Sequence, residues 1–339
     1  MTRFIVGRLG QSLVVVFGVI ALTFIIMRVV PGDPAVTVAG PRASESQLAE
    51  VREQLGLNES LFVQFWKYLT GLVSGDLGES FRTGQAVASD LANAMPASLE
   101  LTVFAIALAL LFGLPLGVLA ARFQGRVPDA IIRVLSVLSV SFPVFWLALI
   151  LQNALATQMG WFPIAGEFDT SLVATTPLQP ITNITMVDAL IAGNWPVLGS
   201  AVAHVVLPAV VVAAYPTGLI AQMTRASLLD ELKEPHTLME RALGYSPSSI
   251  IIRFSLRPAM TPIISVIALV FAFAIVNSFL VEAIFNWPGI GSYTYNAIRG
   301  LDTPAIAGVT LVVGIIYVLA NLAVDIIQGV VDPRVRLAS

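Results

Sequence analysis

The sequence LTVFAIALALLFGLPLGVLAA, residues 101–121, decides the fold of this 339-residue chain. Its 21 residues carry no formal charge. As a helix rising about 1.5 Å per residue, they are long enough to cross a hydrocarbon core of about 30 Å. A strand of a membrane β-barrel is shorter and alternates apolar with polar residues, which this stretch does not. It therefore predicts a transmembrane helix.

Five more apolar stretches of similar length recur along the chain, without linkers rich in Gly or Pro between them. Of all residues 57% are hydrophobic and only 12% are charged, which is about half of the charged fraction of a soluble domain. We therefore predict an all-α, polytopic membrane protein with six transmembrane helices and a helical extracytoplasmic segment. The spans are placed at residues 9–30, 99–121, 134–156, 201–222, 258–281 and 303–324.

Basic residues set the expected orientation, because Lys and Arg are enriched in the cytoplasmic loops of membrane proteins. With both termini in the cytoplasm, 12 basic residues lie inside and five outside, leaving Arg28 at a helix end uncounted. The predicted cytoplasmic pieces are residues 1–8, 122–133, 223–257 and 325–339. The predicted extracytoplasmic pieces are a helical segment at 31–98 and loops at 157–200 and 282–302.

The outer segment at 31–98 contains two amphipathic stretches. Ser44-Glu-Ser-Gln47 has the pattern of a capping box, precedes apolar residues at helical spacing and is followed by Gly56 as a stop. In residues 61–73, apolar side chains recur on one helical stripe that includes Trp66. We expect a short helical cap on the outer face, which is compatible with a docking surface for an extracytoplasmic partner.

The longest cytoplasmic loop contains a short isolated helix. Pro235 and Pro247 interrupt helices on either side, and Gly244 stops the unit between them, at residues 236–243. Leu238, Met239, Ala242 and Leu243 share one face of this helix. Lipid does not cover an apolar stripe that projects into the cytoplasm, so either a protein partner covers it or it folds back onto its own helices.

Several kinds of chemistry have no residues to support them. The only lysines, Lys67 and Lys233, follow Trp66 and Leu232, so the chain has no Walker A loop for binding ATP. Without Cys and with only two His residues, it has no His/Cys site for zinc or copper. We therefore expect a protein that is not an enzyme and binds no cofactor itself.

Few polar groups lie within the spans. Glu100, Glu282 and Asp325 lie near span ends, where we expect them to reach the interface, so a relay for a proton-driven carrier is not visible. Gly113 and Gly117 form a pair suited to close helix packing.

Aromatic residues beside a kink at Pro143, together with polar residues of the fifth span, are candidates for a translocation pathway, although packing against lipid or a neighbouring helix also explains them. These candidates are Phe142, Phe145, Trp146, Asn277 and Ser278.

Ten sequence fragments, in order along the six-span profile, carry a family resemblance. They include Val30-Pro-Gly-Asp-Pro34, Pro96-Ala-Ser-Leu-Glu-Leu101, Phe142-Pro-Val-Phe-Trp146, Trp287-Pro-Gly-Ile-Gly291 and Asp332-Pro-Arg334. With these fragments the chain resembles the inner-membrane permease subunits of ATP-binding-cassette importers of the peptide and nickel class, the dipeptide and oligopeptide permeases in particular.

The resemblance assigns a role to the isolated cytoplasmic helix. In that family, an acidic-Ala-Ala pattern ahead of a Gly forms a coupling helix that docks into a cleft of the ATPase subunit. The sequence here differs from the pattern at Pro235-His-Thr237, and Glu240 is displaced from the expected acidic position. The resemblance implies that the ATPase-coupling residues are Leu238, Met239, Glu240, Arg241, Ala242, Leu243 and Gly244.

The resemblance also implies a non-catalytic half of a pore for di- and oligopeptides in a bacterial or archaeal cell membrane. Its partners would be a second homologous permease, two ATPase subunits that hold ATP and Mg, an extracytoplasmic substrate-binding protein and the lipid bilayer, but not nucleic acid. Nickel or oligosaccharide is the alternative cargo. An ATP-independent channel or carrier is the alternative of another class, and it would need no ATPase partner.

Overall fold

This computed structural model describes residues 2–29, 34–40, 42–54 and 56–331. Asp332-Pro-Arg334 and most of the Val30–Pro34 fragment lie outside the described residues. Among the described residues the structure is helical apart from turns, loops and an isolated bridge between Glu79 and Ala86. The helices are α1 (Thr2–Val29), α2 (Pro34–Ala39), α3 (Glu45–Gln54), α4 (Leu61–Val73), α5 (Val87–Arg122), α6 (Val127–Ser141), α7 (Val144–Leu151), α8 (Leu172–Thr175), α9 (Thr185–Ile191), α10 (Trp195–Glu231), α11 (Pro235–Ala242), α12 (Pro247–Ser249), α13 (Leu256–Phe285), α14 (Ile290–Arg299) and α15 (Thr303–Val331), with π-helical segments at Gln152–Gln158 and Ile250–Ser255.

Five helical stretches of the described chain are long and apolar enough to cross a membrane, and a bent pair gives a sixth candidate. The five lie in α1, α5, α10, the α12–α13 region and α15. In the bent pair, Val127–Ser141 and Val144–Gln158 meet at an angle of 105°. Pro143, which lacks an N–H group, is the N-cap of α7, so the predicted span 134–156 is not one continuous helix.

The predicted outer loops contain helices that hydropathy did not indicate. Residues 157–200 include α8 and α9, and residues 282–302 include α14. These helices have between four and ten residues, too few to stand out as a periodic apolar pattern. The predicted loops at 157–200 and 282–302 are therefore helical in part.

Helices α5 and α10 pack closely at the centre of the bundle. A Cβ atom on Gly117 would lie 2.5 Å from Cβ of Thr224 and 2.7 Å from the carbonyl oxygen of Ala221. A Cβ atom on Gly113 would lie 3.0 Å from Cβ of Ile220. The close packing predicted for the two glycines is confirmed, and it brings the two backbones into direct contact.

The corner after α13 is built around a buried carboxylate. Glu282 has no exposed surface, so the expectation that it reaches the interface is wrong. Its carboxylate accepts hydrogen bonds from the Ser278 hydroxyl at 2.9 Å and from the Gly291 backbone N–H at 2.7 Å. The indole N–H of Trp287 donates to the carbonyl oxygen of Ala97 at 2.9 Å. These bonds join α13, α14 and α5 and satisfy the polar groups that burial removes from water.

The outer loop before α9 is attached to α5 through a second buried carboxylate. Glu100 is only 6% exposed, so its expected position at the interface is also wrong. Its Oε1 atom accepts a hydrogen bond from the Met186 backbone N–H at 2.9 Å. Its Oε2 atom is buried without a hydrogen-bond donor, and so is Oε1 of Glu167. The two carboxyl groups are in contact, and burial raises the pKa of Glu167. A shared proton would supply the missing donor.

The outer helical cap has the structure that its sequence predicts. The Ser44 backbone N–H donates to Oε1 of Gln47 at 2.8 Å, and the Gln47 N–H donates to the Ser44 hydroxyl at 3.3 Å, which confirms the capping box. Helix α4 packs on α1 through Phe65, whose ring centroid lies 5.2 Å from that of Phe24. Trp66 stays exposed on α4.

We expect Gly291→Ala to destabilise the corner after α13. A Cβ atom at Gly291 would collide with the backbone of Phe279, which cannot move without shifting α13. The expected loss is about 1–3 kcal/mol, measured as a lower midpoint of thermal unfolding of the purified protein. Gly199→Ala is the control, because nothing lies within 4 Å of the new atom. Equal midpoints for the Gly291 variant and the wild type would contradict this account of the corner.

We expect the attachment of the outer loop to weaken as pH rises. A raised pKa means that the folded state favours protonated Glu167. The stabilisation is therefore complete below the usual glutamate pKa of about 4.5 and is lost as pH rises through the raised pKa. The measurement is the thermal midpoint at a series of pH values.

Glu167→Gln keeps a donor at every pH, so its midpoint should fall less steeply with pH than that of the wild type. Glu53→Gln, at an exposed glutamate of α3, is the control and should keep the wild-type slope. A wild-type slope in Glu167→Gln would rule out the shared proton.

Candidate functional site

The short helix α11 is defined by the residues at its two ends. Glu234 is its extended N-cap, with Pro235 at the first helical position. It ends at Ala242, and Gly244 then takes a φ of +83°, the left-handed conformation in which glycine carries no Cβ penalty. The predicted helix at 236–243 therefore matches the observed Pro235–Ala242 to within one residue at each end.

One side of α11 is anchored to the protein. Thr237 is fully buried, and its hydroxyl donates to the carbonyl oxygen of Glu231 at 3.1 Å. Glu240 is half-buried, and Arg241 is exposed although it follows Thr237 on the same face. The attachment fixes which side of the helix faces outwards.

The opposite side of α11 is an uncovered apolar face. Leu238, Met239 and Leu243 are 53%, 65% and 66% exposed, and Ala242 between them is exposed as well. The alternative in which this stripe folds back onto its own helices does not hold in the structure. An exposed group of large apolar side chains in water is typical of a surface that binds another protein.

Packed side chains lead from α11 to a transmembrane helix. The rings of Tyr245 and Phe254 meet edge to face with centroids 5.0 Å apart. Ile250 and Ile251, at the start of the π-helical segment, are 2% and 4% exposed, and this segment continues into α13. Packed side chains therefore connect α11 to α13.

An ion pair braces the neighbouring helices at the same end of the bundle. The Arg225 guanidinium donates to both oxygens of Asp129, with Nε 2.6 Å from Oδ1 and Nη2 3.0 Å from Oδ2. The Gly125 N–H also donates to Asp129, and Arg133 lies 3.4 Å from it. The pair joins α6 to α10. The sequence does not indicate this pairing, because 96 residues separate Asp129 from Arg225.

Three of the candidate pathway residues lie together at the break between α6 and α7. Phe142 and Trp146 stack with ring centroids 5.0 Å apart and an interplanar angle of 16°. Both are more than one-third exposed, as is Phe145. The structure thus brings the three aromatic rings to one uncovered bend. Their role in translocation stays a prediction.

The other two candidates, on α13, have different surroundings. Asn277 is half-buried, and its side-chain amide donates to the carbonyl oxygen of Phe273 at 2.9 Å. Ser278 is fully buried and donates to Glu282. In this conformation Ser278 therefore supports the corner after α13 rather than facing open space.

Sequence comparisons give relatives over nearly the full length of the chain. The probable D,D-dipeptide transport system permease protein of Escherichia coli (strain K12) is 38% identical over 97% of this chain and 96% of its own. The di/tripeptide transport system permease protein of Pseudomonas aeruginosa (strain UCBPP-PA14) is 36% identical over 99% of both chains. The glutathione transport system permease protein of Escherichia coli O6:H1 is 31% identical over 99% of both.

Family models match both parts of the chain. Residues 1–102 match the N-terminal component of binding-protein-dependent transport system membrane proteins. Residues 113–337 match the model described as the binding-protein-dependent transport system inner membrane component, which covers more than half of the sequence. The chain therefore belongs to the family of inner membrane components of binding-protein-dependent transport systems.

Proposed function

We propose that this permease forms half of the translocation pathway of an ATP-binding-cassette importer for di- and oligopeptides. The relatives named for dipeptide, tripeptide and glutathione transport support a peptide cargo. The uncovered apolar face of α11 supports coupling to an ATPase, because it offers a docking surface for another subunit.

The proposed assembly contains a second homologous permease, two ATPase subunits and an extracytoplasmic binding protein. ATP and Mg are held by the ATPase subunits, and this chain contributes no catalytic group. ATP binding closes the ATPase pair and moves α11, which displaces α13 through Tyr245 and the π-helical segment. For this displacement to drive transport, nucleotide must stabilise one arrangement of the two permeases more than the other.

We expect Leu243→Asp to abolish peptide uptake while leaving membrane insertion intact. The aspartate would place a charge in the apolar contact with the ATPase, where it has no partner. The measurement is uptake of a labelled dipeptide by proteoliposomes that contain the complete complex. Leu243→Met keeps the apolar contact and should transport at close to the wild-type rate. Wild-type uptake by the aspartate variant would refute the docking role of α11.

The cargo is tested by measuring which solute stimulates ATP hydrolysis by the complex with its binding protein. We expect stimulation by di- and oligopeptides but not by nickel or an oligosaccharide. Uptake by the permeases without any ATPase subunit would instead support an ATP-independent channel or carrier.

We also propose that the outer helix α4 contacts the binding protein. Phe65 and Trp66 are neighbours on this helix, but Phe65 packs on Phe24 while Trp66 is 58% exposed. A photo-crosslinking residue at position 66 should capture the binding protein, whereas one at position 65 should capture only this chain. Crosslinks from position 66 to lipid or to this chain alone would contradict the proposal.

A further inference from the structure

A pocket of about 600 Å³ lies at the end of the bundle that carries α11. Three arginines from separate segments line it: Arg122 ends α5, Arg126 is the N-cap of α6, and Arg241 belongs to α11. Apolar side chains, among them Leu232 and Ile250, also line the pocket. It therefore offers both positive charge and apolar surface to a ligand.

The charge of this pocket is not neutralised by the described part of the chain. No carboxylate lines the pocket, and no salt bridge among the described residues involves any of the three arginines. The nearby Asp129 is bound by Arg225 and Arg133 instead. Guanidinium groups match the oxygen atoms of phosphate and carboxylate, and several of them in one pocket attract an anion.

The position of the pocket favours the headgroup region of the membrane. Arg122 is the last residue of a helix that is apolar enough to span the membrane, and Arg126 directly precedes the next candidate span. Both guanidinium groups therefore belong near the level of lipid phosphates, where basic pockets between transmembrane helices bind anionic headgroups.

The orientation of α11 favours a lipid over the ATPase subunit as the occupant. Arg241 follows the buried Thr237 by four residues, so it lies on the side of α11 that faces the bundle. The exposed apolar face with Leu238 and Met239 points the other way. A partner seated on the apolar face would leave the pocket open to the membrane.

We propose that the pocket formed by Arg122, Arg126 and Arg241 binds the phosphate of an anionic phospholipid, with the glycerol and upper acyl chains on the apolar lining. The bound lipid links the α5–α6 connection to α11. This inference does not depend on the cargo, whereas the choice of a lipid over the ATPase subunit rests on the docking role proposed for the apolar face of α11.

The test uses the purified complex in nanodiscs of neutral phosphatidylcholine, into which phosphatidylglycerol is titrated. Native mass spectrometry measures retained lipid, and the thermal midpoint measures stabilisation. We expect the wild type to enrich phosphatidylglycerol over its bulk fraction, and Arg126→Gln with Arg241→Gln to lower that enrichment roughly thirtyfold. Arg253→Gln with Arg257→Gln removes the same charge from exposed positions outside this pocket and should retain the lipid.

If the double variant fails to fold, the titration of the wild type still tests the proposal. A wild-type complex that does not enrich phosphatidylglycerol overturns the lipid site. A second arm adds inorganic phosphate or glycerophosphate to complexes in neutral nanodiscs. Stabilisation by these soluble anions equal to that by phosphatidylglycerol overturns a lipid site in favour of free phosphate. Loss of ATPase subunits from the double variant in neutral nanodiscs, together with wild-type retention of phosphatidylglycerol in the mixed nanodiscs, overturns it in favour of a protein contact.

Discussion

The direct backbone contact between α5 and α10 is the constraint on which the rest of the packing depends. Lipid chains are as apolar as the side chains between helices, so membrane helices associate through close van der Waals contact rather than through exclusion of water. Gly113 and Gly117 allow this approach, and Ile220 and Thr224 fill the space that side chains would otherwise occupy. Helix α10 then contacts α6, α9 and α13, so the positions of these three helices depend on this pair.

The sequence predicted the features that depend on neighbouring residues. Apolar length predicted the long helices α1, α5, α10, α13 and α15 but not the bend at Pro143, and prolines and a glycine located α11 to within one residue at each end. The face formed by Leu238, Met239 and Leu243 followed from helical spacing alone, and these side chains are exposed as a docking surface requires. Whether the stripe was covered by its own chain could not be decided from the sequence, because that depends on how α11 lies against the bundle.

The features that escaped prediction depend on residues far apart in the chain. Glu100 and Glu282 lie near span ends, where a carboxylate usually reaches water, but both are buried in the structure. Glu100 meets the N–H of Met186, 86 residues away. The sequence also did not indicate why the Trp287-Pro-Gly-Ile-Gly291 fragment ends in a glycine. In the structure, a Cβ atom on Gly291 would meet the backbone of Phe279.

The ion pair between Asp129 and Arg225 has a consequence for biosynthesis. Its partners are 96 residues apart, so at about 5–20 residues per second the aspartate leaves the ribosome roughly 5–20 s before its arginine. During that interval Asp129 depends on the neighbouring Arg133 and on water at the membrane surface. Its place in the first turn of α6 keeps it near that surface. The helices before α10 can thus enter the membrane early, and the ion pair between Asp129 and Arg225 forms only after α10 has been synthesised.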